Sequence, residues 1–218
     1  MSGIVGSRLN IKGSGLVGSL GTDGQVFTSS GAGAGAVFED AAGGGAWTYI
    51  STTTISSAVD EVQITSGIDS TYDKYYFHIS NINHDTDDKN HYLQVISGGS
   101  VVTASDYRSC HNGINSLSTS SANIVDNDHT FIYLNASGCS LEDDENIEIN
   151  LYMYNPSNTA TETYVQFNGI VHQHNDRIDS WYGGGVYDQT AAVTGIKYYP
   201  ADGCFEGGQI RLYGLNKS

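Results

Sequence analysis

The chain has 218 residues, with Lys+Arg numbering 9 against Asp+Glu 24, a formal charge of −15 and a pI near 4.5. That balance excludes a nucleic-acid partner, which needs a basic face, and disfavours an anionic membrane surface. No apolar run is long enough to cross a bilayer, so no membrane insertion is expected. Charged residues are only 15% of the chain while tyrosines number 15, which suits a hydroxyl-rich β protein rather than a disordered one.

Residues 1–20, MSGIVGSRLNIKGSGLVGSL, place Ile4-Val5, Leu9, Ile11, Leu16-Val17 and Leu20 among Gly and Ser. Neither the helical nor the strand period fits them. Gly13, Gly15, Gly18 and Gly21 would each weaken a helix by about 1 kcal/mol. The opening basic and apolar pattern of a secretory leader is not seen, so folding in a cytoplasm is expected. Next comes GTDGQVFTSSGAGAGAVFED, residues 21–40, rich in glycine and alanine and therefore unable to form a core alone. Its composition allows a flexible spacer. The apolar pairs Val26-Phe27 and Val37-Phe38 favour an extended segment held by neighbouring chains. Residues 1–46 are thus expected to be an extended Gly-rich arm and connector that orders on a partner.

From Trp47 the texture changes. Ile147, Ile149, Leu151 and Met153 alternate with Glu148, Asn150 and Tyr152, predicting a strand with one dry and one wet face. Tyr75-Phe77-Ile79, Val165-Phe167-Gly169-Val171 and Ile210-Leu212-Gly214 do the same. Weaker strands are predicted over 47–55, 60–65, 91–97, 130–135 and 193–199. Turn chemistry lies at Ser97-Gly98-Gly99, His111-Asn112-Gly113, Asn155-Pro156-Ser157-Asn158 and Asp202-Gly203. With no amphipathic helix, repeat or heptad run, residues 47–218 are expected to be all-β, a jelly-roll-like antiparallel β-sandwich head.

Two stretches carry a resemblance. The run G-T-D-G-Q-V-x-T-S-x-G-A-G-A (Gly21 to Ala34) is similar to a connector of bacteriophage tail-fibre and virion attachment proteins. Gly208-Gln209-Ile210-Arg211-Leu212-Tyr213-Gly214-Leu215 resembles the closing strand of their β-structured heads. The resemblance implies a virion structural protein made in the host cytoplasm, tail-fibre-like, displaying its sandwich for host attachment. Its partners would be other tail or capsid proteins and a host surface glycan or protein. It also implies a homotrimer, in which Val26, Phe27, Val37 and Phe38 serve assembly or anchoring. A head fibre or capsid decoration protein would share both stretches, and a polysaccharide-degrading enzyme of the virion is a further alternative. No heptad shaft lies between the two stretches.

Few constellations carry chemistry. Trp181, Tyr182 and Tyr187 flank a run of three glycines, which could hold flat rings exposed on a loop for a sugar or protein; the same rings could instead pack inward from a β-hairpin. His172 and His174 share one strand face and, around a threefold axis, could ligate a metal; they could equally be surface histidines. Acidic clusters at Asp85-Thr86-Asp87-Asp88, Asp126-Asn127-Asp128 and Glu142-Asp143-Asp144-Glu145 lack the spacing of a calcium loop. No nucleophile elbow, phosphate loop or zinc-protease motif occurs, so neither enzyme activity nor a cofactor is expected. Cys110, Cys139 and Cys204, odd in number and widely spaced, are expected to stay reduced.

Overall fold

Alternating dry and wet positions dominate the second half of the chain, and among the described residues they form strands, with no helix. The structure, a computed structural model, describes residues 22, 25–28, 37–40, 46–86, 88–135, 146–173 and 177–216. Contacts divide the chain into two units, Met1–Ala46 and Trp47–Ser218. In the first, β1 (Gln25–Thr28) pairs antiparallel with β2 (Val37–Asp40), setting Phe27 opposite Phe38. Apart from Thr22 and Ala46, the rest of the arm lies outside the described residues.

Among the described residues the second unit holds two sheets. The strands are β3 (Trp47–Ile55), β4 (Val62–Ile64), β5 (Lys74–His84), β6 (His91–Ser97), β7 (Ser100–Val101), β8 (Tyr107–Asn115) and β9 (Ser118–His129). They continue as β10 (Ile132–Tyr133), β11 (Ile147–Tyr154), β12 (Thr163–Gln173), β13 (Arg177–Tyr187), β14 (Val193–Pro200) and β15 (Phe205–Leu215). One sheet runs β3-β15-β5-β11-β12-β13-β8-β9, the other β10-β6-β14-β4 with β7 beside β6. Every pairing is antiparallel.

Eight of these strands wind as a jelly roll. In chain order β3, β4, β5, β6, β10, β11, β14 and β15 build β3-β15-β5-β11 facing β4-β14-β6-β10, the double Greek-key order. The two insertions, β8-β9 and β12-β13, then widen the first sheet beyond β11. The fold is therefore an all-β, jelly-roll-like sandwich with one sheet extended to twice its width.

One core fills the space between the sheets. Tyr75, Phe77, Ile79 and Ile82 of β5 and Ile147, Ile149, Leu151 and Met153 of β11 meet Leu93, Val95, Ile196 and Tyr198 of the smaller sheet. Each side chain so buried contributes roughly 1.5–3 kcal/mol. Buried phenols find partners, as they must in a dry interior. Tyr75 Oη donates to Asp69 O and accepts from Asp69 N, both at 2.9 Å. Tyr107 Oη donates to Val102 O at 2.9 Å and accepts from Val95 N at 3.0 Å.

A polar string also crosses the core. His84 Nε2 and His91 Nε2 lie 2.5 Å apart, and His91 Nδ1 meets the Tyr198 hydroxyl. Phe205 packs against both imidazoles. Burial pushes His84 down to about 4 and His91 well below the usual histidine range, so both rings are neutral near pH 7.

The turn expected at His111-Asn112-Gly113 is instead the interior of β8. Its inward positions are Tyr107, Ser109, His111 and Gly113, mostly polar or small, and so show no hydrophobic alternation.

Candidate functional site

Register along the eight-stranded sheet sorts its outward side chains into rows. Tyr49, Tyr213, Tyr76 and Tyr152 stand side by side on β3, β15, β5 and β11. The same row continues through Gln166, Gly184, Cys110 and Val125 on the inserted strands. The neighbouring row reads Thr52, Arg211, His78, Asn150, Asn168, Tyr182, Asn112 and Asn123. Every member of that second row can form a hydrogen bond.

Three of the four tyrosines spend their faces on one another, while Tyr49 stays 57% exposed. Tyr76 stacks on Tyr152 at 5.0 Å and 21°, and on Tyr213 at 5.7 Å and 24°. Tyr49 meets Tyr213 edge-on, and Trp47 tilts against Tyr76 and Tyr152. Lys74 Nζ caps the group, 4.6 Å from the Tyr152 ring and 4.8 Å from Tyr154. Partial burial and the phenols of Tyr152 and Tyr213 push Tyr76 above the usual phenol range. Tyr76 Oη donates to Asn150 Oδ1 at 2.5 Å. Cross-strand packing of this kind holds a sheet together and offers a ligand mainly ring edges and hydroxyls.

The Trp181–Tyr187 stretch lies within β13, not on a loop, and its side chains alternate between faces. Trp181 points inward, only 2% exposed, and its indole Nε1 donates to Leu134 O at 2.5 Å. The ring sits where an added Cβ on Gly169 would come within 2.3 Å of it, so glycine there makes room for tryptophan. Tyr187 is likewise buried, against Tyr107. Tyr182 points outward at 67% exposure. Of the three aromatic candidates, Tyr182 alone has a ring that a ligand can reach.

The three glycines differ in the same alternating way. A Cβ on Gly183 would meet His111 Cβ at 2.4 Å, and one on Gly185 would meet Ile132 at 2.9 Å. Both are inward positions closed by the core. Gly184 faces out, where a Cβ would meet only Val165 O, at 3.3 Å. Here the sheet carries two adjoining shallow depressions of about 400 and 430 Å³, which share Gly184, Cys110 and Val125. Tyr182 borders one and Tyr164 the other. Asn112 and Asn123 join side chain to side chain at one margin, and Arg108 pairs with Asp188 near the other.

The remaining predicted residues lie apart from this face or beyond view. His172 is half-buried on the outer face of β12, while His174 lies outside the described residues. Among the described residues no group of three His, Cys, Asp or Glu could hold a metal ion. The acidic cluster 142–145 and Cys139 are also outside the described residues, and Cys110 and Cys204 are free thiols. In the first unit, Phe27 and Phe38 touch ring to ring at 5.0 Å. Val26, Phe27 and Val37 stay largely exposed there, Phe27 at 55%.

Sequence reasoning overlooked Tyr164, Asn112, Asn123 and the tyrosine row. The available signal was the wet side of the predicted strands, where Tyr76, Tyr152 and Tyr164 recur at outward positions. Comparison of the chain with protein-family models, curated proteins and solved structures finds no match.

Proposed function

We propose that the chain is a structural protein of a bacteriophage virion, a tail-fibre-like component whose sandwich is displayed for host attachment. The carrying observation is the β1–β2 ribbon. Two strands of four residues are too few to be stable alone in water, and this pair leaves Val26, Phe27 and Val37 exposed. The second unit has a complete core of its own. A ribbon of this kind is therefore suited to other subunits, as the connector resemblance implies.

The same ribbon supports a homotrimer. Three copies could bury Val26, Phe27, Val37 and Phe38 against one another, at roughly 1.5–3 kcal/mol per side chain. Each chain brings a charge of −15, so added salt should tighten the assembly.

Gold-labelled antibody against the sandwich tests the placement on purified particles. Label on the tail supports the tail-fibre-like role, label on the capsid makes the chain a head fibre or decoration protein, and unlabelled particles overturn the proposal. Light scattering tests the assembly. The full chain should scatter at three times its 23.3 kDa mass, and the double variant Phe27→Ser, Phe38→Ser at one. A full chain that stays monomeric at micromolar concentration removes the trimer and leaves the ribbon to foreign subunits.

A further inference from the structure

We infer that the trough over Gly184 is a binding site for a neutral carbohydrate, gripped between Tyr182 and Tyr164. The inference rests on the attachment reading for its biological setting, and on the geometry of the outer face for the binding itself.

Gly184 comes first. Glycine inside a strand weakens it and contributes no packing, and it often marks a place where something approaches the backbone closely. The two neighbouring glycines are accounted for by His111, Phe167 and Ile132, which fill the space their side chains would take. The third faces outward, where a Cβ would meet only Val165 O, tightly at 3.3 Å. Its effect is to bare a strip of backbone on the outer face, between Gln166 on one strand and Cys110 on the other.

The walls are the second observation. Tyr182 is 67% exposed and Tyr164 50%, and neither ring packs against another aromatic ring among the described residues. On the same sheet face Tyr213, Tyr76 and Tyr152 stack on each other, and Tyr49 meets Tyr213 edge-on. Tyr182 lies two residues before Gly184, and Tyr164 pairs with Val186, two residues after it. Two free aromatic faces thus bracket the bare strip, separated along the strand by roughly 13 Å. That span accepts a short oligosaccharide, whose apolar ring faces lie on phenol rings while its hydroxyls face sideways.

Polar groups for those hydroxyls are in place. Asn112 and Asn123 bond to each other and keep further donor and acceptor capacity, and Gln166 stands across from Gly184. A few amides around an apolar floor are the usual composition of a small-ligand site. Charge decides the class of sugar. Arg108 at the rim is already paired with Asp188, Asp126 lines the trough, and the chain carries −15 overall. An anionic polysaccharide would be repelled, whereas a neutral one meets no penalty.

The test uses the full chain and saturation-transfer NMR against dextran, mannan and galactan as neutral probes, with alginate and hyaluronate as anionic ones. At least one neutral polymer should bind, unaffected by added salt. Tyr182→Ala should weaken that binding about tenfold, as loss of an aromatic stack predicts. Gly184→Leu, which fills the trough, should abolish it with a cooperative melting transition retained but lowered, because its Cβ presses on Val165 O; Tyr182→Ala carries the test free of that cost. Absence of binding to all three neutral polymers overturns the inference, as does binding that survives both variants or belongs to the anionic polymers alone. The two proposals fail separately. A chain that binds neutral glycan but is missing from particles refutes only the virion assignment, and one found on particles that binds none refutes only this site.

Discussion

The two halves of the wide sheet use tyrosine in opposite ways. On β15-β5-β11, which belong to the jelly roll proper, outward Tyr213, Tyr76 and Tyr152 stand in register and stack face to face, and Tyr49 at the β3 edge meets Tyr213 edge-on. On the inserted strands β12 and β13, outward Tyr164 and Tyr182 are offset by four residues in register, with Gly184 midway between them. Their rings are left to solvent. Residue type and exposure alone would score both groups as sticky surface. Whether an aromatic face is already in use separates a ring that fastens strands from one that can receive a ligand.

That contrast concerns the outer face, and it presumes that the inserted half is as firmly built on its inner face as the jelly-roll half. Trp181→Ala tests the presumption and should have the largest effect. It removes a buried ring, its bond to Leu134 O and the filling of the space beside Gly169. A loss of about 3–5 kcal/mol in denaturant unfolding is expected. A loss below about 1 kcal/mol would mean that the inserted strands are loosely appended, and the comparison would fail at its base.

Acid probes both inner faces together, because each hides histidine. His84, between the sheets, titrates at about 4, and burial lowers His111 beneath the inserted strands as well. The unfolded chain takes up these protons near pH 6.5, before the folded chain does. Stability is therefore complete above about pH 6.5 and is lost as pH falls toward 4, by roughly 3 kcal/mol for His84 alone. Melting temperature followed from pH 7 to 4.5 should fall steadily, and the imidazole NMR signal of His84 should begin to titrate only near pH 4. A flat melting temperature across that range would contradict the burial of both rings.

The sequence announces the strands of the wide sheet unevenly, and not along the line between its halves. β5, β11, β12 and β15 are legible because Phe77, Leu151, Phe167 and Leu212 fall at every second position with polar residues between. β8 and β13 are not. Their inward positions include Ser109, His111, Gly113, Asp179, Gly183 and Gly185, and the space beside Gly183 and Gly185 becomes core because Phe167 and Ile132 reach across to fill it. That filling is a long-range property, invisible to local periodicity. The candidate site suffers the same limit. Tyr182 stands out beside its glycines, but Tyr164, Asn112 and Asn123 join it through register between strands distant in the chain.

The smallest expected effect is the most discriminating. Tyr76→Ala removes a ring held between Tyr152 and Tyr213, with a hydroxyl bonded to Asn150, and should cost about 1–3 kcal/mol. Tyr182→Ala removes a ring of the same size from the same sheet face. Its cross-strand neighbours, Asn168 and Asn112, give it no aromatic face to lose. Its cost in denaturant unfolding should stay within about 0.5 kcal/mol, as for other open surface positions. Strand propensity alone accounts for a few tenths of that, since alanine is the poorer strand former. A Tyr182→Ala loss equal to that of Tyr76→Ala would show that the ring is already engaged with the sheet, and the distinction between fastening and receiving tyrosines would dissolve. A stable Tyr182→Ala beside a weakened Tyr76→Ala would mean that folding does not require the exposed ring at position 182, leaving ligand binding as the role to measure.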